Sequence, residues 1–267
     1  MTHPPRPEVG WLGAPPGAAW PSDEEEVGND ANPFLRYRQL LWAHHRAGQA
    51  GIADTGFVEL VRRLDDAVGE LDGRGFECTP LVMVDKLAEM IGQTGGVWAK
   101  DETGNVSGSH KARHLFGLAL HLEVEEVPLN KPLAIASCGN AALAAALVAR
   151  AAGRPLVVHV PTWADSWILG QLEELGANVE VCERRNGESG DPCMLRFREA
   201  VADGALPFGC QGTESPWTID GGRTLGFELA DQLSSQEVLV DRILIQVGGG
   251  ALASSTIQAL TDATKFG

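Results

Sequence analysis

The 267-residue sequence has few basic residues, few aromatic residues and no long hydrophobic run. Lys and Arg number 21 against 36 Asp and Glu, which gives a formal net charge of −15. With no basic patch of useful size, the sequence argues against nucleic acid or an anionic membrane as the main partner. The longest apolar run, residues 141–149, is much shorter than the roughly 20 residues that a membrane-spanning helix needs.

Cysteine is also sparse, and no C-x-x-C pair occurs, which argues against a zinc ribbon or a thioredoxin-like motif. The odd number of cysteines and the lack of a signal peptide favour free thiols in a reducing cytoplasm. His110 and His114 are four residues apart, but the sequence offers no third ligand near them. We therefore predict no metal site.

The chain divides into an N-terminal segment with few apolar residues and a remainder that is predicted to form helices and strands. Residues 1–31 are rich in Pro, Gly and acidic residues, and are predicted to form a largely disordered tail. Asn32 and Pro33 predict a helix start, with Asn32 as the N-cap. A second helix is predicted over residues 57–71.

From Thr79 onward, short apolar runs alternate with helical stretches, a pattern typical of an α/β fold with a parallel sheet covered by helices. The predicted strands are 81–84, 97–100, 133–136, 156–160, 179–182 and 243–247. The predicted helices are 111–124, 140–152, 165–175, 194–203, 223–232 and 251–261. Because such sheets bind ligands at the carboxyl ends of their strands, the strand-to-helix turns are the candidate functional sites.

The first of these turns has Lys111 at the start of the predicted helix. The positive end of a helix dipole disfavours a protonated amine. A lysine here therefore suits a reactive amine that forms a Schiff base with an aldehyde. The alternative is an ordinary exposed lysine.

Two further turns carry polar residues or glycine. Ser137 and Asn140 either cap the helix that follows them or, with unpaired backbone N–H groups, bind a carboxylate. Gly248, Gly249 and Gly250 either form a tight strand–helix connection or bind phosphate through their backbone. An amine nucleophile, a carboxylate site and a phosphate site in one α/β chain together suit pyridoxal phosphate acting on an amino acid.

The order of these motifs resembles the fold type II family of pyridoxal-phosphate enzymes, which are similar to the tryptophan synthase β subunit. The resemblance extends over about residues 75–262 and is closest to threonine synthase-like members. The matching segments are Thr79-Pro80-Leu81, Lys100-Asp101-Glu102, Ser107 to Lys111, Ser137 to Asn140, Leu175-Gly176-Ala177, Gly221 to Thr224 with Glu228, and Gly248 to Leu252.

The resemblance implies a role for each site residue. Lys111 would hold the cofactor covalently and then move the α-proton, and Asn140 would hydrogen-bond the phenolic oxygen of its ring. The substrate carboxylate would be bound by Ser137, Cys138 and Gly139. The phosphate would be bound by Gly248, Gly249, Gly250, Ala251 and Leu252.

The resemblance also implies two sub-domains, each a parallel sheet covered by helices, with the cofactor between them. The larger cofactor domain comprises residues 32–114 and 206–267, and the smaller substrate domain comprises 115–205. Family members continue beyond the phosphate loop, so we expect the chain to be C-terminally incomplete. Cys138 and Ala141 stand where the family often has Ser or Thr and His or Thr, respectively.

The expected function is a pyridoxal-phosphate-dependent lyase that acts on an amino acid by β- or γ-elimination or replacement. The segment from Asn32 to Leu41 is similar to the openings of threonine synthase-like members, which favours that reaction. A serine/threonine dehydratase is the alternative within the class. A non-catalytic binding or regulatory protein with the same fold is the alternative outside it. We expect a homodimer.

Overall fold

The computed structural model describes residues 13–22 and 30–266. The helices are α1 (Pro33–Arg36), α2 (Trp42–Gln49), α3 (Asp54–Asp72), α4 (Asp85–Met90), α5 (Lys111–Val124), α6 (Asn140–Ala151), α7 (Ser166–Glu174), α8 (Pro192–Ala202), α9 (Trp217–Ser235) and α10 (Ala251–Phe266). The strands are β1 (Leu81–Met83), β2 (Trp98–Lys100), β3 (Leu133–Ala136), β4 (Leu156–Pro161), β5 (Asn178–Cys182) and β6 (Leu206–Pro207). None of these helices is both long enough and apolar enough to cross a membrane.

Four strands form a parallel sheet in the order β5-β4-β3-β6. Leu133 of β3 pairs with Leu156 of β4, both side chains are buried, and α6 and α8 pack against these two strands. The predicted α/β fold with a parallel sheet covered by helices is confirmed. The sheet lies within residues 133–207, and the proposed division into sub-domains stays a prediction.

The second sheet differs from the expected one. β1 and β2 form an antiparallel pair, with Leu81 opposite Lys100, where the sequence predicts another parallel sheet. The predicted strand over 243–247 is wrong, because this segment lies on the surface and pairs with no other described strand. Leu244 is 94% exposed and Val247 is 66% exposed, so the segment has neither the burial nor the ladder that stabilises a strand.

α5 is the most deeply buried helix along most of its length and packs against α9. The two backbones approach closely where glycines meet: a Cβ added to Gly117 would lie 2.3 Å from the Cα of Gly221. The sequence predicts this helix over residues 223–232. Instead α9 begins at Trp217 and includes Gly221 and Gly222, and glycine is required at 221 because a Cβ there would clash with the carbonyl oxygen of Arg113.

Residues 13–22 lie against the core, which differs from the predicted disordered tail. The indole of Trp20 packs against Phe227, and its Nε1 donates a hydrogen bond to Asp231 at 2.9 Å. The remaining tail residues, 1–12 and 23–29, lie outside the described part of the chain. Farther on, Asn32 caps α1 as predicted, since its Oδ1 accepts a hydrogen bond from the backbone N–H of Phe34 at 2.8 Å.

Candidate active site

A cleft of about 920 Å³ brings the three predicted turns together. Lys111 lines it from the start of α5, and Ser137 and Asn140 line it from the connection between β3 and α6. The same cleft is lined by Gly248, Gly249, Gly250, Ala251 and Leu252. Cys138 and Gly139 do not line this cleft. Most of the residues predicted for separate parts of the site therefore face one another.

Lys111 is the first residue of α5, and His110 is its N-cap. Within residues 13–22 and 30–266, the Nζ atom of Lys111 has no hydrogen-bond or ion-pair partner. The side chain is partly buried at the edge of the cleft. Its amine is thus available to a molecule bound there.

The two histidines beside Lys111 are held neutral. Burial, together with the charge of Lys111, lowers the pKa of His110 to about 4. Burial lowers the pKa of His114 to about 3, and its Nδ1 donates a hydrogen bond to the carbonyl oxygen of Thr218 at 2.7 Å. The described residues contain no group of three side chains able to hold a metal ion.

Arg113, in the first turn of α5, is the centre of a buried ionic cluster. Its Nε donates to Oε2 of Glu102 at 2.8 Å, and its Nη1 donates to Oε1 of Glu228 at 2.5 Å. Although burial alone would raise the pKa of Glu102, the Arg113 guanidinium holds it below its usual value. The cluster therefore ties the start of α5 to the segment after β2 and to α9.

Lys100 completes this cluster from β2. Its Nζ donates to Oε2 of Glu228 at 2.6 Å and to Oε1 of Gln232 at 2.9 Å. Burial lowers the pKa of Lys100, while the charge of Glu228 opposes this shift. These donors and acceptors are satisfied within the protein, so the cluster fixes the start of α5, where Lys111 lies.

The glycine loop before α10, which comprises Gly248, Gly249 and Gly250, lines the cleft with its backbone atoms. Gly250 has φ of +82°, a conformation that disfavours residues with a Cβ. A Cβ added to Gly248 or Gly250 would meet no atom within 4 Å. Unpaired N–H groups at the start of a 16-residue helix suit a phosphate or another anion.

A smaller cavity of about 140 Å³ adjoins the cleft and shares Lys111 and Ser137 with it. Sequence reasoning missed three residues that line this cavity: Cys210, Gln211 and Glu214. They follow β6, a strand of only two residues that ends in Pro207 and is too short to be recognised as a strand from the sequence. Burial raises the pKa of Cys210 to about 12, so its side chain remains a thiol rather than a nucleophilic thiolate.

Two curated relatives share part of the chain. A threonine synthase from Methanosarcina acetivorans is 32% identical over 172 residues, covering 64% of this chain and 39% of the relative. A biosynthetic L-threonine dehydratase from Haemophilus influenzae is 26% identical over 192 residues, covering 71% of this chain and 35% of the relative. The chain thus spans well under half the length of either protein.

The fold also matches a solved structure. Diaminopropionate ammonia lyase from Escherichia coli, in its apo form, aligns with a TM-score of 0.61 and 23% identity, over 78% of this chain and 59% of that one. The family model described as pyridoxal-phosphate dependent enzyme matches residues 74–265, which contain every candidate site residue. The chain belongs to the family of pyridoxal-phosphate-dependent enzymes.

Proposed function

We propose that this chain forms the cofactor and substrate site of a lyase that acts on an amino acid by β- or γ-elimination or replacement. The observation that carries the proposal is the single cleft shared by the amine of Lys111, the open glycine loop and the start of α6. Pyridoxal phosphate needs an amine for its aldehyde and N–H donors for its phosphate, and these groups fit it.

Each residue has a proposed task. When bound, the cofactor withdraws electrons from the Cα of an amino acid, which allows the α-proton to leave. Lys111 holds the cofactor and, when its amine is released, moves that proton. The amide of Asn140, which lines the cleft and has no partner among the described residues, donates to the ring oxygen of the cofactor. Ser137, Cys138 and Gly139 bind the substrate carboxylate through backbone or side-chain donors, and Gly248 to Leu252 bind the phosphate. Ser137 contributes its hydroxyl, because its backbone N–H already donates to the carbonyl oxygen of His159 at 3.2 Å.

Two reactions are candidates within this class. The 32% identity to a threonine synthase supports a threonine synthase-like reaction. The matched L-threonine dehydratase supports a dehydratase reaction on a hydroxy amino acid. Release of inorganic phosphate from O-phosphohomoserine would identify the first reaction, and a 2-oxo acid with ammonia would identify the second. Cofactor binding without turnover would favour the non-catalytic alternative.

The cofactor assignment is tested by the absorption spectrum of the purified chain with pyridoxal phosphate. We expect a band from the lysine-bound cofactor in the parent and in Lys86→Ala, which alters an exposed lysine on α4. We expect no band in Lys111→Ala. Circular dichroism establishes that all three proteins are folded. A band that persists in Lys111→Ala would refute the role of this lysine, and a folded parent without a band would refute the proposed function.

We also propose a homodimer in a reducing cytoplasm. The five free cysteine thiols support a reducing compartment. Sedimentation equilibrium measures the oligomeric state, and a monomer at micromolar concentration would contradict the proposal.

A further inference from the structure

The smaller cavity beside Lys111 has an apolar wall and one carboxylate. The side chains of Ile135, Met194 and Phe197 contribute the apolar surface, and Gln211 and Glu214 contribute the polar surface. Its volume of about 140 Å³ is several times smaller than the volume of about 920 Å³ of the adjoining cleft. This is the size of an amino acid side chain rather than of a cofactor.

The charges around this cavity are few. Of its lining residues, all of which lie in the described part of the chain, Glu214 is the only acidic one and Lys111 the only basic one. The carboxylate of Glu214 is half-buried and has no hydrogen-bond or ion-pair partner among residues 13–22 and 30–266. Lys111 is assigned to the cofactor by the proposed function. Glu214 is therefore the charged group left to meet a substrate side chain.

We propose that Glu214 is a specificity-determining residue that accepts a hydrogen bond from a hydroxyl or ammonium group on the substrate side chain. An anionic side chain, such as a phosphate ester, would meet a like charge in a partly desolvated cavity and would be disfavoured. The substrate class is thus a small amino acid with a neutral or cationic donor on its side chain. This inference rests on the proposed function, and within it favours a dehydratase-type substrate over O-phosphohomoserine.

Four ligands with the same carbon skeleton test the inference: L-alanine, L-serine, L-2,3-diaminopropionate and O-phospho-L-serine. Each is titrated into the cofactor-loaded protein, and its apparent Kd is taken from the change in absorption spectrum and from the shift in Tm. We expect the parent to bind L-serine and L-2,3-diaminopropionate at least about tenfold more tightly than O-phospho-L-serine. Glu214→Gln should lose the preference for L-2,3-diaminopropionate, and Glu214→Lys should favour O-phospho-L-serine.

Glu173→Lys is the matched control, because Glu173 is exposed on α7 and lines neither cavity. It should retain the ligand order of the parent. A parent that prefers O-phospho-L-serine, or a ligand order unchanged in Glu214→Lys, would overturn the inference. A lysine-dependent absorption band with no response to any of the four ligands would also overturn it, while the cofactor assignment would stand. A folded parent without that band would overturn both proposals.

Discussion

Arg113 and Glu228 form an ion pair from which solvent is excluded, with Nη1 of Arg113 2.5 Å from Oε1 of Glu228 and both side chains 0% exposed. Arg113 is two residues beyond Lys111, and Glu228 is in the middle of α9. The pair therefore fixes the helix that begins with the candidate cofactor lysine against a second buried helix. A buried pair of this kind stabilises a defined arrangement only while both partners are present.

Arg113→Met should lower the free energy of unfolding by about 3–5 kcal/mol, because it leaves Glu102 buried without its ion-pair partner and Glu228 with Lys100 as its remaining cation. Urea unfolding followed by circular dichroism measures this loss. Arg185→Met is the control, since Arg185 pairs with Glu199 on the surface and its loss should change stability by at most about 1 kcal/mol. Equal effects of the two substitutions would contradict the role of the buried pair.

Gly117→Ala should destabilise the fold by about 1–3 kcal/mol or more, because the new methyl group would overlap the backbone of Gly221. Gly170→Ala is the matched control within α7, where an added Cβ meets no atom within 4 Å. That substitution should stabilise the protein by about 0.4–1 kcal/mol. Thermal unfolding compares the two variants, and a Gly117→Ala protein as stable as its parent would show that α5 and α9 are not in close contact.

The free energy of unfolding should decrease as the pH is lowered from about 6 to about 4. His114 has a pKa lowered from 6.5 to about 3, so in this range the unfolded chain binds a proton at this residue and the folded chain does not. His110, with a pKa of about 4, acts in the same direction. One such group makes the unfolding free energy rise by at most about 1.4 kcal/mol per pH unit.

His114→Asn keeps a donor for the carbonyl oxygen of Thr218 but removes this titration. Its unfolding free energy, measured in urea from pH 4 to 8, should therefore depend less steeply on pH below 6 than that of the parent. Above pH 7 the two curves should run parallel, because the imidazole is then neutral in both states. Parallel curves over the whole range would show that His114 is not the group involved.

Gly250→Ala should weaken binding of pyridoxal phosphate by roughly tenfold or more, because a Cβ is strained at φ +82° and the loop would shift away from the phosphate. Gly92→Ala is the control. Gly92, after α4, also has a positive φ and open space around it, but lines neither cavity. Both variants should lose similar stability, and only Gly250→Ala should lose cofactor affinity. Equal affinities in a fluorescence titration would contradict the phosphate role of this loop.

The features predicted correctly from the sequence are those that depend on local signals. α5, α6 and α10 begin at Lys111, Asn140 and Ala251 as predicted, because strand-like runs end just before polar or glycine turns there. The features that were missed depend on contacts between distant segments. α9 continues through Gly221 and Gly222 only because α5 packs against their bare backbone, and nothing local in the sequence indicates this.

The residues of the candidate site also fall into those that local sequence patterns indicate and those that only contacts between distant segments bring together. Lys111 and the glycine loop could be predicted as parts of one site, because both follow predicted strands and their order matches the family, and the structure places both along one cleft. Glu214 follows a two-residue strand, and its proximity to Lys111 is set by the position of β6 beside β3. Glu102 and Glu228 belong to segments that match the family, but the sequence does not indicate that both pair with Arg113, because the two glutamates are far apart in the chain.

The ionic cluster around Arg113 also has a consequence for folding order. Its partners are far apart in the chain: Arg113 and Glu228 are separated by 115 residues, and Thr79 and Glu228 by 149. Contacts that close such long loops form slowly, since chain entropy opposes them until much of the structure is in place. The Lys111 amine therefore reaches its final surroundings late, only after α9 has been synthesised and has docked against α5.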